Sequence, residues 1–148
     1  TSQSYQEVSA AFYGSTLALE ILGTCIIIPF LEELLYRGIV YQRLKAFLGV
    51  KTAIVLSAVI FGAMHFNLVQ FLYATAVGLL LAVIMEQEGL GAAMAAHMVT
   101  NLVSVLRSET KLFHFMDASM MGSVICTVVE SGLIVVLLLL AFRGGKEK

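Results

Sequence analysis

Long apolar stretches separated by short polar ones dominate the chain and predict an all-α protein. A membrane helix needs about 20 consecutive, mostly apolar residues. The pattern predicts such helices at residues 11–48, 52–66, 68–85, 92–106 and 119–142. Pro29 interrupts the first stretch, removes a backbone donor and should bend the helix. The sequence therefore predicts a polytopic transmembrane bundle of about five helices, with a kinked first helix at Pro29.

The composition agrees with a chain that lies in a bilayer. Hydrophobic residues make up 59% of the chain and charged residues 13%, with a mean hydropathy of +0.94. An ordinary soluble domain is about 25% charged. The length of 148 residues predicts one domain, residues 1–148, and we expect further membrane helices upstream of Thr1. A net charge of −1 without a basic run argues against a nucleic-acid partner.

Basic residues give an orientation in the membrane. Short cytoplasmic loops carry an excess of Lys and Arg. Two clusters stand out, one at residues 43–51 and one at residues 143–148. Counting the predicted helices between them places both clusters on the same side. We therefore expect residues 43–51 and the C-terminus in the cytoplasm, together with a predicted loop at residues 86–91.

Three charged residues, Glu32, Glu33 and Arg37, interrupt the first apolar stretch. A charge at the bilayer centre costs ~2.5–3.5 kcal/mol on insertion scales and usually marks a functional site. Glu33 and Arg37 stand four residues apart on one helix face, which predicts a structural ion pair. Glu32 points about 100° away from Glu33. It has no cation partner on the helix and is the candidate general base.

Polar side chains also recur at a spacing of four on two further helices. Phe61 and His65 share a face of the second helix, so the ring can pack beside the imidazole. His97 and Asn101 share a small, polar face of the fourth helix. His65 alone could equally be a hydrogen-bonded packing residue. The convergence of a carboxylate, two imidazoles and a carboxamide from three helices indicates one buried site.

These residues form three motifs that resemble those of the CPBP family of intramembrane proteases. The family includes CAAX-processing endoproteases and bacteriocin-processing or self-immunity proteins, and is also called the Abi family. Its motifs Glu-Glu-x-x-x-Arg, Phe-x-x-x-His and His-x-x-x-Asn or Asp occur here in that order, at Glu32 to Arg37, Phe61 to His65 and His97 to Asn101. The resemblance covers about residues 25–105.

The resemblance implies an endopeptidase that hydrolyses a peptide bond of a membrane-associated or lipophilic peptide. It implies that Glu32 and His65 activate a water molecule. It also implies that His97 and Asn101 form an oxyanion hole, with Glu33, Arg37 and Phe61 in support. The substrate stays open among prenylated CAAX peptides, peptide pheromones and leader peptides. The short core favours a bacterial-type peptide processor in a bacterial cell membrane.

A zinc ion is the open question for this site. Glu32, His65 and His97 are a plausible set of three zinc ligands, with water in the fourth position. Nothing in the sequence resembles His-Glu-x-x-His. If Glu32 bound zinc, the remaining base would be Glu33, which Arg37 already pairs. We therefore favour a glutamate-dependent hydrolase without a metal, with zinc as the alternative.

Two other classes of function use the same residues. A self-immunity protein would bind a peptide in the pocket without hydrolysing it, and its phenotype would survive alanine at Glu32. A proton-coupled transporter would use Glu32 and the histidines as a relay and would show pH-driven flux. A protease would lose cleavage in the same alanine variant.

Overall fold

The computed structural model describes residues 17–110 and six further positions, 122, 125, 129, 132, 133 and 136. In this part of the chain every secondary-structure element is a helix, which confirms the all-α prediction. The start of the first predicted helix, at residues 11–16, lies outside the described residues. So does most of the last predicted helix, residues 119–142. The helix count of five and the kink at Pro29 therefore stay predictions.

Four helices follow one another along the described chain. Helix α1 runs unbroken through five consecutive segments, Leu17–Glu20, Ile21–Ile27, Ile28–Glu33, Leu34–Tyr41 and Gln42–Leu48. Helix α2 is Val50–Ala63, α3 is Leu68–Glu88 and α4 is Leu90–Thr110. Helix α2 packs most extensively on α3, while α4 packs on α3 and on the Ile21–Glu33 part of α1. The site described below lies where α1, α2 and α4 meet.

Single glycines make two of the helix connections. Gly49 separates α1 from α2 with φ of +79°, and Gly89 separates α3 from α4 with φ of +89°. These left-handed values favour glycine, which has no Cβ to clash. The predicted loop at residues 86–91 is therefore wrong, because α3 continues to Glu88 and α4 begins at Leu90. The one-residue connection at Gly89 leaves α3 and α4 longer than the hydrophobic pattern indicated.

The connection between α2 and α3 is a tight turn that contains His65. The sequence predicted a helix to Phe66, but α2 ends at Ala63. Phe66 has a left-handed φ of 52°, which no regular helix allows. Asn67 is extended, and its Oδ1 accepts from the backbone N–H groups of Val69 at 2.9 Å and Gln70 at 3.4 Å. This N-cap starts α3 directly behind His65.

Small residues bring α2 and α3 close together. The two helices bury seven residues with small side chains or none: Ala53, Ser57, Ala58, Gly62, Ala74, Gly78 and Ala82. A Cβ added at Gly62 would lie 2.8 Å from the carbonyl oxygen of Phe71. One added at Gly78 would lie 3.2 Å from Cα of Ala58. Such small-residue contacts are typical of helix packing in membranes.

Helix α1 buries the charges of Glu33 and Arg37 and exposes many of its apolar side chains. Glu33 and Arg37 are 0% exposed, whereas Leu31 is 56% and Ile39 57% exposed. This distribution is the reverse of a surface helix in a soluble protein and suits a surface in contact with lipid tails. Two described helices are also long and apolar enough to cross a membrane, Leu68–Glu88 and Leu90–Arg107.

A polar contact joins the end of α1 to the end of α3. Lys45 Nζ donates to both carboxylate oxygens of Glu86, at 2.7 and 2.9 Å. The Tyr41 hydroxyl donates to Oε2 of the same carboxylate at 2.6 Å. The contact places residues 43–51 and the α3–α4 connection at one end of the bundle. The predicted orientation requires that these two regions share a side.

Candidate active site

The two glutamates lie on a short α-helical segment between two π-helical ones. Residues 21–27 and 34–41 are π-helical, whereas Ile28–Glu33 is α-helical. The N–H of Ile28 bonds the carbonyl of Gly23, five residues back, as a π-helix requires. Pro29, which has no N–H, follows at the next position. π-Helical turns interrupt α-helices frequently at functional sites.

Arg37 connects α1 to both neighbouring helices. Its Nη1 donates to Oε1 of Glu33 at 2.8 Å, and both side chains are fully buried. The predicted ion pair is therefore confirmed. Nη2 donates to the carbonyl oxygen of Gly78 on α3 at 3.0 Å. The guanidinium also lies 4.7 Å from the centre of the Phe61 ring on α2, within cation–π distance. Arg37 therefore has partners on three helices.

His97 contacts both glutamates. Its Nδ1 lies 2.9 Å from Oε1 of Glu33, and its Nε2 lies 3.7 Å from Oε2 of Glu32. A carboxylate oxygen accepts hydrogen bonds, so Nδ1 carries the hydrogen. In neutral His97 the lone pair therefore lies on Nε2, toward Glu32. The sequence predicted that Glu33 pairs with Arg37, but gave no sign of this second contact.

The Phe61 ring is the packing centre of the site. It is 2% exposed and makes edge-to-face contacts with three rings. The centroid distances are 5.0 Å to Tyr36, 5.1 Å to His65 and 5.8 Å to His97. The predicted packing of Phe61 beside His65 is confirmed. One buried ring therefore orients side chains from α1, from the α2–α3 turn and from α4.

An open cleft of about 300 Å³ brings Glu32 and His65 together; its lining consists of Leu31, Glu32, Leu35, Tyr36, Met64 and His65. His65 Nδ1 lies 3.0 Å from the carbonyl oxygen of Phe61. Because a carbonyl oxygen only accepts, Nδ1 carries a hydrogen, and in the neutral imidazole Nε2 then carries the lone pair. The Glu32 side chain is 27% exposed. The cleft thus contains two hydrogen-bond acceptors, a carboxylate and an imidazole nitrogen.

His97 and Asn101 do not line this cleft. Asn101 Nδ2 donates to the carbonyl oxygen of Thr24 on α1 at 2.8 Å. That bond and the His97–Glu33 contact join α4 to α1 at two levels, one turn apart on α4 and more than two turns apart on α1. Of the four predicted catalytic residues, the structure brings Glu32 and His65 into one cleft and places His97 against Glu32.

Tyr36 is a site residue that the sequence reasoning missed. It lines the cleft with Glu32 and His65 and is 7% exposed. A signal was present, since Tyr36 follows Glu32 by four residues and so shares its helix face. The predicted site was built from charged groups, imidazoles and a carboxamide, so it did not include a phenol at that spacing.

The described side chains do not form a metal site as they stand. Within the described part of the chain, no three His, Cys, Asp or Glu side chains converge closely enough to hold a metal ion. Glu32 and His97 approach each other, but His65 does not complete the set of three zinc ligands that the sequence allowed. The arrangement instead provides protein acceptors for a water molecule.

A buried Glu33–Arg37 pair, two imidazoles and exposed apolar side chains define a helical protein with ionisable groups in its interior and two helices able to cross a membrane. The chain matches the family model for type II CAAX prenyl endopeptidase Rce1-like proteins over residues 14–103. This match covers more than half of the chain, which belongs to that family of membrane proteases. The resemblance drawn from the three motifs is confirmed. Comparisons with curated proteins and with solved structures gave no match.

Proposed function

We propose that this protein is an intramembrane endopeptidase that hydrolyses a peptide bond of a membrane-associated or lipophilic peptide. The observation that carries the proposal is the cleft shared by Glu32 and His65. Each offers an acceptor, so a water molecule between them can donate one hydrogen to the Glu32 carboxylate and one to Nε2 of His65. Membership in a protease family supports the same reaction.

In the proposed reaction Glu32 is the general base. Its carboxylate takes a proton from the water as the water oxygen bonds to the carbonyl carbon of the peptide. The electron pair of the carbonyl double bond moves to oxygen. When this tetrahedral intermediate collapses, the C–N bond breaks and the amine nitrogen takes the proton from Glu32. One water and one peptide bond thus give a carboxyl group and an amine, and Glu32 is regenerated.

We assign His97 and Asn101 to stabilising the negative oxygen. His97 can donate from Nε2 in its doubly protonated form, because Nδ1 already donates to Glu33. Asn101 has a second amide hydrogen besides the one that Thr24 accepts. Removing one donor of this kind typically costs ~10²–10³ in turnover. Glu33, Arg37 and Phe61 hold these groups in place and take no part in proton transfer.

The membrane arrangement that we propose is a bundle of about five helices, kinked at Pro29, in a bacterial cell membrane. Residues 43–51 and the C-terminus face the cytoplasm in this arrangement. The substrate class is a lipophilic peptide, with prenylated CAAX peptides as the first candidates and peptide pheromones or leader peptides next. Membership in the type II CAAX prenyl endopeptidase family supports that order. The proposed site uses no metal ion.

The decisive experiment measures cleavage by the whole chain in lipid nanodiscs. The probe is a fluorogenic, farnesylated CAAX peptide, with membrane peptidomics by mass spectrometry to find other substrates. We expect Glu32→Gln and His65→Gln each to lower turnover at least ~10³-fold. Glu88→Gln, a carboxylate at the far end of α3, is the matched control and should cleave normally. Wild-type turnover in Glu32→Gln would refute the assignment of the base.

A further inference from the structure

We propose that the Tyr36 hydroxyl donates a hydrogen bond to the carbonyl oxygen of the peptide bond that is cleaved. This inference rests on the proposed endopeptidase function and adds a substrate-contacting residue outside the three motifs. Its starting point is a mismatch between what the cleft contains and what a peptide carbonyl requires. A carbonyl oxygen that becomes negative needs hydrogen-bond donors around it.

The ionisable residues of the cleft provide acceptors. Glu32 contributes carboxylate oxygens, and in neutral His65 the lone pair is on Nε2, because Nδ1 donates to the Phe61 carbonyl. Three of the other lining residues are apolar: Leu31, Leu35 and Met64. Of the six residues that line the cleft, Tyr36 alone has a neutral side-chain hydrogen that no acceptor in the described part of the chain takes.

The donors assigned to the negative oxygen do not belong to the cleft lining. His97 Nδ1 donates to Glu33, so His97 can donate toward Glu32 only after it gains a second proton. Asn101 uses one amide hydrogen on the carbonyl of Thr24 and has one more. Within the lining itself Tyr36 is the neutral donor, and its hydroxyl would act together with that amide.

Tyr36 is firmly packed, and its hydroxyl has no hydrogen-bond partner among the described residues. The residue is 7% exposed, and its ring packs edge-to-face on Phe61 at 5.0 Å with an interplanar angle of 74°. Its hydroxyl is not one of the buried polar atoms without a partner, so it meets the open cleft. A hydroxyl that faces such a cleft can donate to a ligand without breaking a bond to the protein. A peptide carbonyl that enters the cleft can therefore accept its hydrogen.

The hydroxyl acts without giving up its proton. As the water oxygen bonds to the carbonyl carbon, the electron pair of the double bond moves to oxygen and its hydrogen bond from Tyr36 strengthens. The proton from water goes to Glu32, and the leaving amine later takes it. Tyr36 thus stabilises the transition state more than the bound substrate, so its removal should affect kcat rather than KM.

Kinetics of Tyr36→Phe in nanodiscs, with the farnesylated fluorogenic peptide, test the inference. This variant keeps the ring that packs on Phe61, so the fold should persist. We expect kcat to fall ~10²-fold while KM stays within about twofold. The matched control, Tyr41→Phe on the same helix, removes a hydroxyl that donates to Glu86 and should leave kcat unchanged. Wild-type kcat in Tyr36→Phe would overturn the inference and leave the endopeptidase function standing.

A binding measurement separates this inference from the proposed function. A peptide aldehyde forms a tetrahedral hydrate that resembles the reaction intermediate, and such analogues bind ~10²-fold or more tighter than the ground-state peptide. We expect wild type to prefer the aldehyde over the matching amide, and Tyr36→Phe to lose about tenfold or more of that preference. If the wild type cleaves no peptide but Tyr36→Phe still loses the preference for the aldehyde, the Tyr36 contact is supported and the hydrolase function is refuted. If the wild type binds neither the aldehyde nor the amide, both the Tyr36 contact and the hydrolase function are overturned.

Discussion

His97 Nδ1 lies 2.9 Å from Oε1 of Glu33, the same oxygen that accepts from Arg37 at 2.8 Å. One carboxylate oxygen on α1 thus anchors a cation on its own helix and an imidazole on α4. The contact fixes which His97 nitrogen faces Glu32, much as outer-sphere carboxylates orient histidines in metal sites. Glu33 therefore positions His97 in addition to pairing with Arg37.

Glu33→Gln should destabilise the fold and reduce turnover together. The change leaves the Arg37 charge buried without its counter-ion, and breaking a buried pair in this way typically costs ~3–5 kcal/mol. We expect a lower melting temperature by circular dichroism in detergent, and cleavage that is nearly lost. The double variant Glu33→Gln with Arg37→Met removes both charges and should recover much of the stability. A single variant that melts like wild type would show that the pair is not needed for folding.

Gly62→Ala should weaken the packing of α2 against α3. The added Cβ would lie 2.8 Å from the carbonyl oxygen of Phe71, a backbone atom that cannot move alone. Overpacking of this kind typically costs ~1–3 kcal/mol. Gly23→Ala on α1 is the matched control, because its Cβ would meet no atom within 4 Å. Thermal unfolding of both variants checks the prediction, and equal melting temperatures would contradict it.

Asn67→Ala should loosen the turn that contains His65. The Asn67 side chain caps α3 by accepting from the N–H groups of Val69 and Gln70. Losing an N-cap costs ~1 kcal/mol, and the turn would hold His65 less firmly. We expect a slightly lower melting temperature and a several-fold lower kcat. Asn67→Ser keeps a capping oxygen and should restore both; a serine variant as poor as alanine would refute the capping role.

Zinc content distinguishes the glutamate-dependent reaction from a metal-dependent one. In the proposed reaction Glu32 is the base, and Glu33 is committed to Arg37 and His97. We expect purified active protein to hold well below about one zinc per chain and to keep its activity after chelation. Elemental analysis with parallel cleavage assays measures this. About one tightly held zinc per chain, with activity lost on chelation and restored by zinc, would establish the zinc alternative.

Contacts between residues four apart could be predicted, because helix geometry alone brings such side chains together. The Glu33–Arg37 pair and the packing of Phe61 beside His65 are the examples. The Glu33–His97 bond joins residues 64 positions apart. It depends on how α4 packs against α1, about which the hydrophobic pattern says nothing. The pattern found three motifs but could not show which side chain each one touches.

Helix ends were predicted less well than helix centres. The polar run at residues 86–91 predicted a loop, but Gly89 alone separates two helices because it adopts a positive φ. The prediction that His65 lies on a face of α2 was wrong in detail, because α2 ends at Ala63 and His65 lies in the turn that follows. The tight turn still keeps the imidazole against Phe61 through its bond to that residue's carbonyl. Neither π-helical segment could be read from the period of apolar residues.

Around the two π-helical segments, the number of residues in α1 is more tightly constrained than the identity of its outward-facing side chains. They lie on either side of Glu32 and Glu33, at residues 21–27 and 34–41. Deleting one residue from either would turn the chain beyond it by about 100° relative to its neighbours. A deletion between Glu33 and Arg37 would separate that pair, and one between Thr24 and Ile28 would put the Thr24–Asn101 and Glu33–His97 contacts out of register. During evolution the lipid-facing side chains can exchange freely among apolar types, whereas a one-residue insertion or deletion here should be eliminated.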